Sequence, residues 1–412
     1  MDYIAVKKWY IDQIQNIFLP YWTKFVDREN GGICNCITNY GDKKISDNKF
    51  TWSQGRWLWI LCRLCILAKK KVLENVDEAL LKTWADSTWN FISSYAVMQD
   101  KTCCHLLSRE GLKIKDERTG RFDASIYADC FALIGSAQYA VLSKKQKAAD
   151  MAQALYKSIK ERIETGSFFT EPYPIPKGYR THGIPMILTN TIYEYIRMLE
   201  AFGMPTRSAL EFGKKNVSFV FDRLMSKDGY IKEFLSDCPD NAEHLLDRHI
   251  NPGHTIEDLW FQVEFLQAFG TVEEYFSRIC DTAKHTWYLG WDVQYGGLFR
   301  FVDFEGGMPR GISTGSAYEK LIADTWDMKL WWPHSEILYT YLLLYKLTGD
   351  FDFKNIYEQS FNYIFKTFPN AEFGEWIQIR ARDGKPVDKV VALPVKDPFH
   401  ILRSFIKITE LL

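Results

Sequence analysis

Residues 295–307 read YGGLFRFVDFEGG, and the apolar stretch 334–366 follows them. The first is a glycine-centred run with alternating side chains, which predicts a small hairpin or turn. The second carries apolar residues at i, i+3 and i+4 over a length sufficient for two helices. The same pairing recurs along the chain. Glycine-centred turns return at Asn30-Gly31-Gly32-Ile33, SREGLKIK (108–115), KDGYIKEF (227–234) and GEWIQIRARDGK (374–385). Amphipathic stretches return at 129–165, 185–225 and 256–290. A second rhythm overlaps this one, with polar residues set into apolar or aromatic helix starts. They are Gln54-Gly55-Arg56, Tyr127-Ala128-Asp129, Gly183-Ile184-Pro185, His254 to Glu257, His334 to Glu336, and Phe399-His400. Successive gaps are roughly 60 to 80 residues, the length of a hairpin plus a helix pair. Units that cannot bury their faces alone must close on one another. The expectation is a mainly α toroid of six inner and six outer helices, a single domain over 1–412. Its polar residues should face a central cavity.

Composition narrows the function. The chain has 412 residues with 51 basic and 52 acidic side chains, and 47% are hydrophobic, enough for a large core. The near-neutral balance argues against a nucleic-acid binder, which shows a basic domain or stripe. Runs such as WLWILC (57–62) and YTYLLLY (339–345) fall short of the ~20 residues that span a bilayer. The opening MDYIAVKKWY has early charges and no apolar core of a secretory signal. A soluble, cytoplasmic protein is expected. Nine cysteines, an odd number, fit a reducing compartment. Cys34-x-Cys36, Cys62-x-x-Cys65 and Cys103-Cys104 lack zinc-ribbon spacing, so no metal site is expected. The 28 Phe, 22 Tyr and 14 Trp are core material first, and they also line pockets for sugars.

Three histidines stand in constrained company. His254, in NPGHTIEDLWF, shares a helix face with Glu257 three residues on. His334, in KLWWPHSEIL, has Glu336 two residues later and Pro333 at a helix start. His400, in KDPFHILRSF, is followed by Arg403 one turn further. Taken singly, each is more readily structural; a histidine beside a carboxylate is also the usual design of an oriented general base. Arg56, in TWSQGRWLWILCR, opens an apolar helix and needs an anionic or hydrogen-bonding partner. That partner is either a structural carboxylate or a substrate oxygen on which negative charge develops. Phosphate-loop, dinucleotide-binding, HExxH and nucleophile-elbow motifs are missing. What remains is acid/base chemistry: proton abstraction beside a carbonyl, or hydrolysis by a carboxylate pair.

WSQGRWLWILCRL, INPGHTIEDLWF, WDMKLWWPHSEIL, FGEWIQIRARDGK and FHILRSF together strongly resemble the N-acylglucosamine 2-epimerase (renin-binding protein-like) family, in order from about residue 10 to 408. The resemblance implies an (α/α)6 barrel with short β-hairpins at one end. It implies an isomerase that interconverts N-acetylglucosamine and N-acetylmannosamine by inverting C2 of the open-chain sugar through an enediolate. Carried over by position, His254 and His400 resemble the two acid/base groups and Arg56 the enediolate stabiliser. Glu257 and Glu336 resemble the carboxylates that orient the histidines. His334 resembles a cavity residue, and Tyr127, Lys329, Trp331, Trp332 and Arg403 resemble substrate or supporting positions. The family also implies no required cofactor, ATP as a possible activator, and a homodimer.

Two departures bear on substrate choice. Leu402 stands where close relatives commonly have proline, and EPYPIPKGYRTHGIPM (171–186) is locally different, placing His182 near the expected cavity rim. Another aldose 2-epimerase or an aldose–ketose isomerase acting on mannose, glucose or fructose, on the same fold, is the main alternative. An (α/α)6 glycoside hydrolase and a non-catalytic sugar-binding module are less compatible with the histidines.

Overall fold

Each inner helix begins where a turn gives way to an apolar run, and its first residues suit a helix start. Pro252 occupies the first turn of one such helix, and the Asn251 side chain accepts from the His254 amide at 3.2 Å. Helix ends are equally local. Lys144 and Gly349 adopt positive φ, 58° and 71°, so the chain reverses at once into the next helix.

The computed structural model describes residues 1–270 and 272–412; Thr271, within the predicted stretch 256–290, lies outside them. Twelve long helices alternate between two rings among the described residues. They are α1 (Tyr3–Gln13), α2 (Thr51–Lys69), α3 (Glu78–Phe91), α4 (Ile126–Ser143), α5 (Gln146–Thr165) and α6 (Gly183–Ala201). The second half supplies α7 (Arg207–Phe219), α8 (Pro252–Phe269), α9 (Val272–Gly290), α10 (Trp331–Thr348), α11 (Phe351–Thr367) and α12 (Phe399–Leu411). The even-numbered helices form the inner ring: each packs on the next, and α12 packs on α2 to close it. The odd-numbered helices form the outer ring, and α1 lies against α12, so the two ends of the chain make the sixth pair. This is an (α/α)6 barrel, as the six-unit rhythm predicted.

The difference between the rings is written in their side chains. An outer helix such as α5 buries one stripe, while α4 is buried nearly all round, as expected of a central helix. By length and composition α4 could cross a membrane, which the sequence reading did not anticipate; most of it is buried inside the barrel. The short strands lie in the connections from outer to inner helices. Examples are 179–181 with 234–236, 249–250 with 302–303, and 329–330 with 379–380. All the inner N-termini therefore emerge at the end of the barrel that carries the hairpins.

Arg56 owes its position to a close helix crossing. A Cβ on Gly55 would stand 2.2 Å from the Phe131 carbonyl oxygen, and one on Gly135 2.5 Å from that of Gly55. The two glycines let α2 and α4 touch backbone to backbone. Gly55→Ala must push these helices apart. We expect a loss of roughly 1–3 kcal/mol or more of stability, read by denaturant melts, together with reduced activity because Arg56 shifts with the backbone.

Candidate active site

At the hairpin end the barrel encloses a cavity of about 210 Å³. The polar positions at the six inner helix starts sit around or just behind it, and six helix N-termini give this end positive partial charge. Arg56, Tyr127, His254, Glu257, Trp331, Trp332 and His400 all line it. Trp332 lies between the two histidines, its ring centroid 5.2 Å from that of His254 and 5.8 Å from that of His400.

His400 is held from both sides. Its Nδ1 lies 2.8 Å from Glu336 Oε1 and 3.6 Å from Glu257 Oε1, and its Nε2 lies 3.3 Å from Arg56 Nη2. One tautomer satisfies these contacts: Nδ1–H donates to Glu336, and Nε2 offers its lone pair toward Arg56. Burial, aided by the Arg56 and Arg403 guanidiniums against the pull of Glu257, pushes the His400 pKa down to about 3. The ring is a neutral base. Arg56 is sandwiched by aromatic faces, its Cζ 4.1 Å from the Phe131 centroid and 4.9 Å from that of Trp52. It donates to Asp397 Oδ2 at 3.0 Å, and burial lowers its pKa to about 10, so it stays cationic.

His254 has a different partner from the one its spacing suggested. Its Nδ1 lies 2.9 Å from Glu233 Oε1, whereas Glu257 turns toward Arg403 and His400. The i, i+3 rule places two residues on one helix face but cannot see a third element, and the 227–234 turn supplies the nearer carboxylate. Burial alone would raise the Glu233 pKa, but the His254 and His182 imidazoles hold it well below the usual carboxylate range. Behind it, His182 Nε2 lies 2.9 Å from Asp258 Oδ2. Burial would lower the His182 pKa, yet the hydrogen bond to Asp258 and the nearby Glu233 carboxylate raise it to about 9. His182 is fully buried and supports Glu233; it does not reach the cavity rim as expected. Glu233→Gln should lower kcat by roughly 10²–10⁴-fold with little change in KM. Steady-state rates check this, and a loss under tenfold returns the orienting role to Glu257.

Three residues expected in the cavity or at substrate or supporting positions do not line the cavity. His334 is fully buried outside the cavity wall: its Nδ1 bonds to the Leu330 carbonyl at 2.6 Å, and its Nε2 accepts from the Leu298 amide at 2.9 Å. Burial lowers its pKa to about 3, fitting a neutral linker between helix and turn. Residues two apart on a helix diverge by about 200°, so His334 and Glu336 face opposite ways. Lys329 reaches Asp292 Oδ2 at 3.1 Å and the Gly297 carbonyl at 3.2 Å, bracing the 291–298 turn. Arg403 is buried behind His400, joined to Glu257 and to Glu336 Oε1, and positions both carboxylates. Asp129, also expected to face the cavity, pairs with Arg162 at 2.6 Å and ties α4 to α5.

Leu402 is buried in an unbroken first turn of α12, its amide donating to the Pro398 carbonyl at 3.0 Å, a bond proline would remove. Among the described residues the cysteines are free. Two side-chain groups there bring three metal-capable atoms together: His182, Glu233, His254 and Glu257, Glu336, His400. In the second, the Arg403 guanidinium already occupies the carboxylates. In the first, His182 is protonated at neutral pH and Glu233 faces two imidazoles, so a shared proton fits these donors better than a cation.

The sequence profile described as N-acylglucosamine 2-epimerase (GlcNAc 2-epimerase) matches residues 32–404. The N-acylglucosamine 2-epimerase of Bos taurus is 27% identical over 397 residues, covering 94% of this chain and 86% of that protein. Cellobiose 2-epimerase from Bacillus thermoamylovorans superposes with a TM-score of 0.78 at 18% identity, covering 99% of this chain and 100% of that one. A D-mannose isomerase superposes with a TM-score of 0.75 at 14% identity, covering 99% and 98%.

Proposed function

Because this chain belongs to the N-acylglucosamine 2-epimerase family, we propose that it interconverts N-acetylglucosamine and N-acetylmannosamine by moving the C2 proton of the open-chain sugar. One observation carries the reading: two cavity-lining imidazoles flank Trp332, each with Nδ1 held by a buried carboxylate, and Arg56 stands at one of them.

The C1 carbonyl acidifies the C2 hydrogen, and inversion requires a proton to leave one face of a planar enediolate and arrive on the other. In one direction His400, kept neutral by burial, takes the proton from C2. Arg56 and the converging helix N-termini stabilise the charge that develops on the oxygens. His254, held by Glu233, returns a proton to the opposite face, and the reverse reaction exchanges the two roles. The aromatic wall keeps bulk water from protonating the intermediate indiscriminately. The sequence similarity to N-acylglucosamine 2-epimerases over nearly the whole chain supports the N-acylhexosamine over the cellobiose named for the structural neighbour.

Proton NMR of N-acetylmannosamine with the protein in D2O tests the proposal, with and without ATP. Growth of N-acetylglucosamine signals deuterated at C2 is expected. A ketose product would replace this reading with aldose–ketose isomerisation, and no exchange on any hexose would remove enediolate chemistry.

A further inference from the structure

Every charged group in the cavity wall except one meets an opposite charge among the described residues. Arg56 meets Asp397, Glu233 lies against the protonated His182, and Glu257 meets Arg403. The exception is Arg300, which lines the cavity, is only 7% exposed, and has no carboxylate of the described residues at ion-pair distance. Its hydrogen bonds go to neutral acceptors: Nη1 to Thr325 Oγ1 at 3.0 Å, and Nη2 to the Val391 carbonyl at 3.3 Å and Tyr173 Oη at 3.5 Å. A guanidinium has five N–H donors, so Nε and one hydrogen of Nη1 remain available. Tyr173, by accepting from Arg300, keeps its own hydroxyl proton to donate. Tyr318, also in the wall, has a hydroxyl with no hydrogen-bond partner among the described residues.

A buried cation without a counter-ion is costly, and a chain that keeps one in a ligand cavity gains if the ligand supplies the anion. We infer that, beyond N-acetylglucosamine and N-acetylmannosamine, the site accepts and prefers an N-acylhexosamine that carries an acidic group at the end of its carbon chain remote from C2. Phosphate ester and carboxylate share the required chemistry. The placement follows from the fold. Arg300 hangs from the turn at 295–301 and touches loop residues Tyr173 and Val391, whereas Arg56, His254 and His400 stand on helices and make no contact with it. An acidic group at Arg300 therefore lies away from the carbons that react. Oriented N–H and O–H donors around one anion give both affinity and discrimination.

This inference rests on the epimerase reading, and one experiment separates their failures. The whole protein is assayed in D2O for C2 exchange with N-acetylmannosamine, its 6-phosphate and the corresponding 6-carboxylate. One acidic sugar should exceed the neutral one in kcat/KM by at least about 30-fold, and the winner identifies phosphate or carboxylate. Arg300→Met should collapse that ratio toward one, while Arg300→Lys keeps most of it. A neutral sugar that matches both acids in the wild type overturns the inference, even if the variants fail to fold. A ratio that survives in Arg300→Met overturns it too. Exchange with none of the three overturns the epimerase reading itself.

Discussion

His400→Ala and His254→Ala should each lower net epimerisation by at least ~10³-fold while the barrel stays folded, as expected for a group that carries a proton in the transition state. Overpacking or cavity effects do not explain such a loss, because each ring borders a solvent-accessible pocket. Isotope exchange sharpens the prediction. With His400 gone, the epimer whose C2 proton faces His254 can still be deprotonated and reprotonated on that face. It should therefore wash in deuterium without inverting, and the other epimer should stay silent. His254→Ala should give the mirror-image pattern. Retention of a tenth of wild-type turnover by either variant would take that histidine out of the mechanism. Loss of exchange with both epimers in both variants would point instead to one base serving both faces.

Arg403→Met carries the largest expected cost in stability. The guanidinium is 2% exposed and bridges Glu257 and Glu336, with Trp260 Nε1 donating to Glu336 at 2.8 Å. Removing it strands two carboxylates in the interior beside a neutral imidazole. Breaking a buried ion pair from one side costs about 3–5 kcal/mol. For a chain of this length that is roughly 3–6 °C in Tm, taking about 2.1 cal/mol/K of unfolding entropy per residue. Activity should fall as well, because Glu336 no longer has a fixed partner opposite His400. The remedy is diagnostic: adding Glu257→Gln and Glu336→Gln to Arg403→Met should recover much of the stability, since the stranded charges are gone, without recovering turnover. A Tm within 1 °C of wild type for Arg403→Met alone would mean that water or another group already satisfies these carboxylates.

The sequence by itself determined the architecture and the end of the barrel where chemistry sits. The alternation of glycine-centred turns with helix pairs is a local pattern, and six repeats of it can bury their faces only by closing into a ring. The polar residues at Arg56, Tyr127, His254, Glu336 and His400 interrupt apolar helix starts, which is visible without knowing what they meet. Tertiary structure alone decided the partners. Glu233 belongs to a turn 21 residues before His254, Asp397 reaches Arg56 across 341 positions, and Arg300 is conspicuous only once its neighbours prove neutral. Helical spacing reports which side chains share a face; it says nothing of what another element brings against that face. For that reason His334 and Lys329, which resembled site residues by position, turned out to brace the 291–298 turn, and Arg403 to hold carboxylates behind His400. Charge pairing in a barrel is settled by which helix starts converge, and that convergence exists only after the ring has closed.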